Sequence, residues 1–317
     1  MPPDAEAEPQ DRRICQWRSQ ADALKAFADF TGKTESAAHI KPLHWYVACR
    51  LVIEGGFRPD DIVPRPPFFA DKRGNAWNLV YDPKLGKGGE RTILGGLKTK
   101  SVDVVVTKNG LGPVLAVSCK GVTGAFRNLT NRMEETIGEC TNLHITYPAL
   151  VFGYFVIVRA NRLVEAASLE TAPESAVPTI QLAANDIAIQ KGGKPVESII
   201  KFHAALRELS ERRGIRNEVS RYEAIAFAMV EMLGERAGAL LPSFPPADSP
   251  IRLEQFFNML YLRYDERFVY SAPSLKALTE RVQWSADSPA FHPANGLSGL
   301  DYQARVVGDS KAARRKP

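Results

Sequence analysis

The sequence of 317 residues has few cysteines, few histidines and no long apolar run. Four cysteines are present: Cys15, Cys49, Cys119 and Cys140. No two of them form a CxxC pair, so their spacing indicates neither a zinc module nor a disulfide framework. His39 and His44 lie five residues apart, a poor helical spacing for one metal ion. Because no run approaches the ~18 apolar residues of a membrane span, and residues 1–13 lack the apolar segment of a signal peptide, we expect a cytoplasmic protein without a membrane segment.

The charged residues give a mildly basic chain, with a formal net charge of +5 at pH 7. This balance is compatible with a nucleic-acid partner but does not require one. Five basic residues fall in the Gly-rich segment 84–100, KLGKGGERTILGGLKTK. Its order of Gly, Lys and Thr is not that of a phosphate-binding Walker loop. The segment is either a loop that contacts DNA phosphates, with Lys98 and Lys100 as candidates, or an ordinary solvent loop.

Hydrophobic periodicity predicts a central group of strands with helices before, within and after it. Predicted helices cover residues 16–31, 42–54, 198–213, 220–234 and 252–268, and a further helix follows Lys120. Predicted strands cover residues 76–81, 102–107, 113–118 and 149–158, with short edge strands at 180–182 and 187–189. This order indicates an α/β fold.

Two of these strands form a predicted β-hairpin around the Asn-Gly dipeptide at residues 109–110, which is typical of a two-residue turn. Such a turn places Asp103 opposite Ala116. Since side chains alternate between the faces of a strand, Asp103, Ser118 and Lys120 then share one face. The hairpin therefore brings a carboxylate, a hydroxyl and an amine together. The alternative is that Asp103 is a solubilising charge on an edge strand.

The segment after Lys120 has the periodicity of an amphipathic helix. Its apolar stripe consists of Phe126, Leu129, Met133, Ile137 and Cys140. A second stripe consists of Arg127, Asn131, Glu134 and Gly138. Glu134 lies about 100° from the centre of the apolar face, so its carboxylate can look towards the sheet. The alternative is that Glu134 pairs with Arg127 or Asn131 on a solvated face.

This arrangement resembles the PD-(D/E)xK nucleases, in which a hairpin carries Asp on one strand and (D/E)xK on the next, followed by a helix and a further strand. Asp103 and Lys120 match the first acid and the lysine. Ser118 stands where the second acid is expected, and Val102 stands where Pro often precedes the Asp. The type II restriction endonucleases that cut CCGG-containing sites have SxK here and take the missing acid from the helix. Thirteen residues separate the lysine from that Glu, as they separate Lys120 from Glu134.

The resemblance implies a site-specific endonuclease that hydrolyses phosphodiester bonds in double-stranded DNA with Mg²⁺ as cofactor. Asp103 and Glu134 would hold the ion, Lys120 would act on the attacking water, and Ser118 would assist them. In the superfamily a carboxylate from the helix before the first strand often approaches the metal. Glu54 is the candidate here, unless it is only the exposed end of its helix.

The resemblance also implies recognition of DNA by the helix after the hairpin. The candidate DNA contacts are Arg127, Asn131, Arg132, Lys98 and Lys100. A GC-rich palindromic target, a homodimer that matches its two-fold axis and a cognate DNA methyltransferase as genetic partner are expected with it. Two alternatives stay open: a repair or recombination nuclease of the same superfamily, and a non-catalytic DNA-binding protein on a decayed nuclease fold, for which Ser118 is the best argument.

We therefore expect a PD-(D/E)xK restriction-endonuclease-like core, a mixed central sheet flanked by helices, with N- and C-terminal helical additions. The expected division is a disordered tail at 1–13, N-terminal helices at 14–58, the nuclease core at 59–195, a helical C-terminal part at 196–285 packed on the core, and an irregular basic tail at 286–317. The aromatic helix at 252–268 would serve the core or a dimer contact.

Overall fold

The computed structural model describes residues 19–32, 34, 37–74, 76–162, 182–216, 218–232, 234–292, 295, 297 and 300–307. The expected disordered tail, residues 1–13, lies outside the described residues, as does most of the predicted edge strand 180–182. Over the described ranges, no helix combines the length and the apolar character that crossing a membrane requires.

The described chain forms two helices, then seven strands, and then helices that alternate with two further strands. They are α1 (Gln20–Asp29), α2 (Lys41–Ile53), β1 (Ile62–Val63), β2 (Phe68–Arg73), β3 (Ala76–Tyr81), β4 (Arg91–Ile93), β5 (Lys100–Val102), β6 (Val104–Lys108), β7 (Gly112–Val122), α3 (Leu129–Thr146), β8 (Val151–Arg159), α4 (Glu197–Glu208), β9 (Ala224–Val230), α5 (Leu253–Tyr264) and α6 (Lys276–Thr279). The chain continues from α5 into a π-helix, Asp265–Tyr270. The helices predicted at 42–54, 198–213 and 252–268 are confirmed as α2, α4 and α5, and α1 lies within the helix predicted at 16–31.

The central sheet has five strands in the order β1-β6-β7-β8-β9. β6 pairs antiparallel with β1 and β7, whereas β8 pairs parallel with β7 and β9. Two separate antiparallel ribbons are formed by β2 with β3 and by β4 with β5. β8 and β9 are buried on both faces, which explains why their sequences are apolar at successive positions. The predicted α/β class with a mixed central sheet flanked by helices is confirmed.

Helices cover both faces of this sheet. Side chains of α1, α2 and α5 pack on the face that carries Val104 and Val106. Side chains of α3 and α4 pack on the face that carries Val105 and Ala116. This division follows from the two-residue period of the strand. The N- and C-terminal helices therefore pack directly on the sheet.

The β6–β7 hairpin differs from the prediction in its pairing but not in which side chains share a face. The turn contains three residues, 109–111, instead of two. A register shift after Val106 displaces the pairing by one further residue. Two displacements of one residue restore the parity of the side chains, because the strand period is two. Asp103 keeps its predicted face, although Val105 and not Asp103 pairs with Ala116.

Other predictions about the sheet are wrong. The helix predicted at 220–234 contains strand β9, so the sheet extends beyond the core boundary predicted at 195, and the part at 196–285 is not wholly helical. Its apolar residues fit a helical period, but parallel pairing with β8 buries both faces of a strand. The strand predicted at 76–81 exists as β3 but belongs to a separate ribbon, and the sheet begins at β1. At 187–189 the structure has only isolated bridges of Ile189.

The C-terminal segment is more than a tail. Described residues between 286 and 307 contain one short 3₁₀ turn and no α-helix or named strand. Ala290, Leu297 and Tyr302 are nevertheless buried in the core on the α2 side. Residues 308–317, which hold the basic end of the sequence, lie outside the described residues.

Candidate active site

Asp103 lies between β5 and β6, where the β6–β7 ladder ends. The last pair of that ladder joins Val104 to Val117, which leaves the amide of Cys119 for a side chain. This amide donates a hydrogen bond to Asp103 Oδ2 at 2.6 Å. Asp103 is buried. Its carboxylate is therefore fixed just before the first residue of β6 by the backbone of β7.

Ser118 lies between two carboxylates that come from different elements. Its Oγ is 3.4 Å from Asp103 Oδ2 and 3.3 Å from both carboxylate oxygens of Glu139 on α3. All three side chains are buried. The hydroxyl has one proton to donate and can satisfy only one carboxylate at a time. Two neighbouring buried acids therefore need a further donor or a cation.

Two lysines face these carboxylates. Lys120 Nζ lies 3.7 Å from Asp103 Oδ2, and Lys100 Nζ lies 3.8 Å from Glu139 Oε1. The lysine side chains are 29% and 32% exposed, respectively, so both amines reach the site from the solvent side. Asp103, Ser118 and Lys120 lie on one face, as predicted, and α3 adds Glu139 to them.

Burial and charge oppose each other in this cluster. Burial raises the pKa of Glu139, against the lowering effect of Lys120 and Lys100. Burial also opposes the charge of Lys120, but Asp103 and Glu139 outweigh it and raise the pKa of the amine above its ordinary value. Lys120 is therefore an ammonium group at neutral pH. An added positive charge near Glu139 would stabilise the ionised form of its buried carboxyl group.

His44, near the start of α2, approaches Asp103 from the other face of the sheet. Its Nε2 is 3.5 Å from Asp103 Oδ1 and is buried without a hydrogen-bond partner. Burial lowers the pKa of His44, and the nearby carboxylate of Asp103 only partly offsets this, so the ring is neutral at pH 7. Within the described ranges, His44, Asp103 and Cys119 form a group whose ligand atoms all lie within 4.8 Å of one another.

The site offers two kinds of ligand for a divalent cation: the carboxylate oxygens of Asp103 and Glu139, and the imidazole nitrogen and thiol sulfur of His44 and Cys119. Mg²⁺ prefers oxygen ligands and commonly takes one or two carboxylates, which Asp103 and Glu139 supply. Zinc sites with cysteine use the thiolate; burial raises the pKa of Cys119 well above its ordinary value, so a metal that binds this sulfur has to displace its proton. The imidazole of His44 offers a nitrogen ligand, which transition ions such as Co²⁺ accept more readily than Mg²⁺ does.

The prediction that Glu134 looks towards the sheet is wrong. Glu134 is exposed, and Ile137 from the predicted apolar stripe is 39% exposed. The helix is rotated so that Thr136 and Glu139 face inward. Polar partners cause this rotation, because Thr136 Oγ1 lies 3.1 Å from Tyr154 Oη and Glu139 meets the serine of β7. Glu139 therefore takes the place expected for Glu134.

Glu54, the other predicted metal ligand, is held elsewhere. Its carboxylate accepts hydrogen bonds from Arg50 at 2.6 and 3.0 Å and from Tyr261 Oη at 3.1 Å. The side chain ends helix α2 and joins it to α5. Its lone pairs are taken by these donors, so the expectation that it approaches the metal site has no support in the geometry.

The predicted DNA contacts lie on the outside of the same region. Arg127, Asn131 and Lys98 are exposed, whereas Arg132 and Lys100 are partly buried. Arg127 belongs to a 3₁₀ turn, Phe126–Asn128, ahead of α3. The helical wheel predicts that Arg127 continues the stripe of Asn131. This prediction is wrong, because Arg127 lies outside the α-helix.

The apolar periodicity does not point to Glu139, and the spacing of His39 and His44 argues against His44 as a ligand. Thr136, Glu139 and Asn142 recur every three residues and are all buried, so a polar stripe beside the apolar stripe could have pointed to Glu139. No comparable signal marks His44. Its ring reaches Asp103 only because α2 packs across the sheet, which is a contact between distant parts of the sequence.

The arrangement can bind a cation, orient a water molecule and stabilise negative charge. Two acids offer ligand oxygens, and an ammonium group lies beside one of them. Chemistry of this kind serves hydrolysis at a phosphoryl centre, where charge develops on the attacking and leaving oxygens.

Comparisons of the chain with protein-family models, curated proteins and solved structures find no match.

Proposed function

We propose that this protein is a Mg²⁺-dependent endonuclease that hydrolyses phosphodiester bonds in double-stranded DNA. One observation carries the proposal. The carboxylates of Asp103 and Glu139 meet at the hydroxyl of Ser118, and the ammonium group of Lys120 lies 3.7 Å from Asp103. Two acids around one point can bind a cation, and a lysine beside them can offset negative charge on a phosphate.

The order of elements supports a PD-(D/E)xK-like core. A helix (α2), a strand (β1), a hairpin (β6–β7), a helix (α3) and a parallel strand (β8) come in the order that the resemblance implies, with the two ribbons β2–β3 and β4–β5 inserted between β1 and the hairpin. The two candidate acids and the lysine come from the hairpin and the helix after it. Glu139 supplies a second acid, which is missing at position 118, where Ser118 stands. This weakens the argument for a decayed nuclease site.

Each side chain has a definite role in this proposal. Asp103 and Glu139 would hold the cation, with His44 as a further ligand. When bound, the cation would polarise the phosphoryl oxygen and favour an attacking hydroxide. Lys120, whose pKa is raised, keeps its proton, so it donates hydrogen bonds to water and phosphate and offsets negative charge. Ser118 positions the two carboxylates.

Digestion of supercoiled plasmid DNA tests the proposal. The wild-type protein with Mg²⁺ should cut the plasmid, and EDTA should stop the cleavage. Lys120→Ala should lose activity by orders of magnitude, whereas the matched exposed variant Lys201→Ala on α4 should retain it. Intact plasmid after incubation of the folded wild-type protein with Mg²⁺ or Mn²⁺ would reject the nuclease function.

The pattern of products tests the finer proposal, a type II restriction endonuclease with a GC-rich palindromic target. Discrete bands support sequence-specific cleavage, whereas a smear or nicking supports a repair or recombination nuclease of the same superfamily. The same proposal predicts a homodimeric mass on a cognate duplex. It also predicts that a cognate methyltransferase protects the DNA from cleavage. A monomeric mass both free and on DNA would rule out the dimer.

A further inference from the structure

The loop at residues 94–99, between β4 and β5, is fixed to α3 by one buried side chain. Asn142 Oδ1 accepts hydrogen bonds from Leu97 N at 2.7 Å and Lys98 N at 3.1 Å, and its Nδ2 donates to Lys98 O at 2.8 Å. Gly96 N donates to the carbonyl of Asn142 at 2.8 Å. Four hydrogen bonds to one residue give this loop a defined shape.

The two glycines of the loop allow this close approach. A Cβ added at Gly95 would lie 2.1 Å from Asn142 Nδ2, and one at Gly96 would lie 2.3 Å from Ile145 Cγ2. Neither position accepts a side chain unless the Asn142 or Ile145 side chain of α3 moves. The Gly-Gly pair thus allows the loop to pack closely against α3, the helix that carries Glu139.

The fixed loop presents an apolar side chain to solvent. Leu97 is 79% exposed at the tip, and the neighbouring apolar residues Leu94 and Ile145 are at least half exposed. Such exposure adds nothing to the stability of the fold, and grouped apolar side chains on a surface mark interaction sites. The loop ends at Lys100, whose Nζ is 3.8 Å from Glu139 Oε1. A substrate bound at the carboxylates would therefore lie beside the loop.

We infer that Leu97 inserts between stacked bases of the DNA next to the bond that is cleaved. The inference rests on the proposed nuclease function and adds a contact to the substrate. Lys98 and Lys100 follow Leu97 in the sequence, so the loop combines an apolar wedge with positive charge for phosphates. Apolar side chains between two bases unstack the step and kink the duplex. A second copy of this chain fits less well, because two such basic loops would repel each other.

The experiment uses 2-aminopurine, whose fluorescence rises when a base step opens. A cleavage position is first mapped with the wild-type protein and Mg²⁺. A duplex spanning that position, with 2-aminopurine beside the scissile bond, is then titrated with the Lys120→Ala protein, which binds without cutting. We expect a several-fold fluorescence rise that is lost in Leu97→Ala and restored in Leu97→Phe. Affinity should fall roughly tenfold in Leu97→Ala, as for loss of one buried apolar side chain.

Leu262→Ala is the matched control, because Leu262 is 47% exposed on α5, on the other face of the sheet. It should change neither fluorescence nor affinity. Equal fluorescence and affinity with and without the Leu97 side chain would overturn the wedge and leave the nuclease function standing. Loss of a dimer in Leu97→Ala with unchanged DNA binding would also overturn it, in favour of a self-contact. Absence of any cleavage by the wild-type protein would instead reject the nuclease function itself.

Discussion

Replacing Glu139 by Gln should make the protein more stable and at the same time inactive. The change keeps the shape of the side chain and an oxygen for Ser118 Oγ, but it removes a buried negative charge. Burial raises the pKa of Glu139, so the folded protein holds this proton more tightly than the unfolded chain does. Stability is therefore lost as pH rises from below the unfolded carboxyl pKa of about 4.3 through the raised folded pKa.

The magnitudes follow from the position of Glu139 in the site. Without metal, Glu139→Gln should have a higher melting temperature than the wild-type protein at pH 8 and the same melting temperature at pH 4. Each kcal/mol of added stability should raise the melting temperature by about 2 °C in a chain of this length. Glu139 is one of the two carboxylates proposed to hold the cation, and a neutral Gln is a poorer ligand for Mg²⁺. Mg²⁺-dependent cleavage should therefore fall by roughly a hundredfold to a thousandfold, the loss seen when a main source of transition-state charge stabilisation is removed.

Glu134→Gln is the matched control on the same helix. Because Glu134 is exposed, the substitution should leave both the melting temperature and the cleavage rate near the wild-type values. Thermal melts in EDTA and single-turnover cleavage rates of the three proteins check both halves of the prediction. Wild-type cleavage by Glu139→Gln, or loss of cleavage in Glu134→Gln alone, would refute the reasoning.

Three further predictions concern other parts of the protein. If Arg127 reads bases, Arg127→Ala should weaken cognate binding by about 1–3 kcal/mol and leave non-specific binding unchanged; affinities at two salt concentrations decide this, since loss of a phosphate contact weakens both. Glu223 holds two buried guanidinium groups at 2.6 and 2.7 Å, so Glu223→Gln should cost roughly 3–5 kcal/mol in urea unfolding, whereas Arg73→Ala at an exposed pair should change it by about 0.5 kcal/mol or less. Burial lowers the pKa of His203 to about 4, so stability should decline as pH falls from 6.5 to 4, at up to about 1.4 kcal/mol per pH unit, and His203→Gln should remove that decline.

The hairpin shows how far local sequence information reaches. The β-branched run, the Asn-Gly dipeptide and the alternation of side chains predict which face Asp103, Ser118 and Lys120 share. They do not predict the extra turn residue or the register shift after Val106. The two errors cancel because each shifts the pairing by one residue and the strand period is two.

Helix α3 shows where apolar periodicity fails. The wheel centres the buried face on its apolar residues and turns Glu134 towards the sheet. The structure instead buries Thr136, Glu139 and Asn142, because Tyr154, the serine of β7 and the Gly-Gly loop supply partners for them. Functional and anchoring polar residues lie on the inner face of this helix, so hydrophobicity alone misplaces that face.

The sequence alone does not identify β9 as a strand, because the contacts that decide it are also made with a distant segment. Its sequence, AIAFAMV, is apolar at every position and fits a helix as well as a strand. Only its parallel neighbour β8 decides between them, and that neighbour is more than sixty residues away in sequence. The contact of His44 with Asp103 depends in the same way on packing between distant segments.

The central claim, that Asp103 and Glu139 act together in one hydrolytic site, is tested most directly by a double-mutant cycle on the cleavage rate. Single-turnover cleavage of a mapped duplex is measured for the wild-type protein, Asp103→Asn, Glu139→Gln and the double variant. Residues that act as a unit are strongly non-additive. The geometry predicts that each single variant loses at least about a hundredfold and that the double variant is no slower than the worse of the two. Additive losses, or a single variant that cleaves at the wild-type rate, would contradict a shared site.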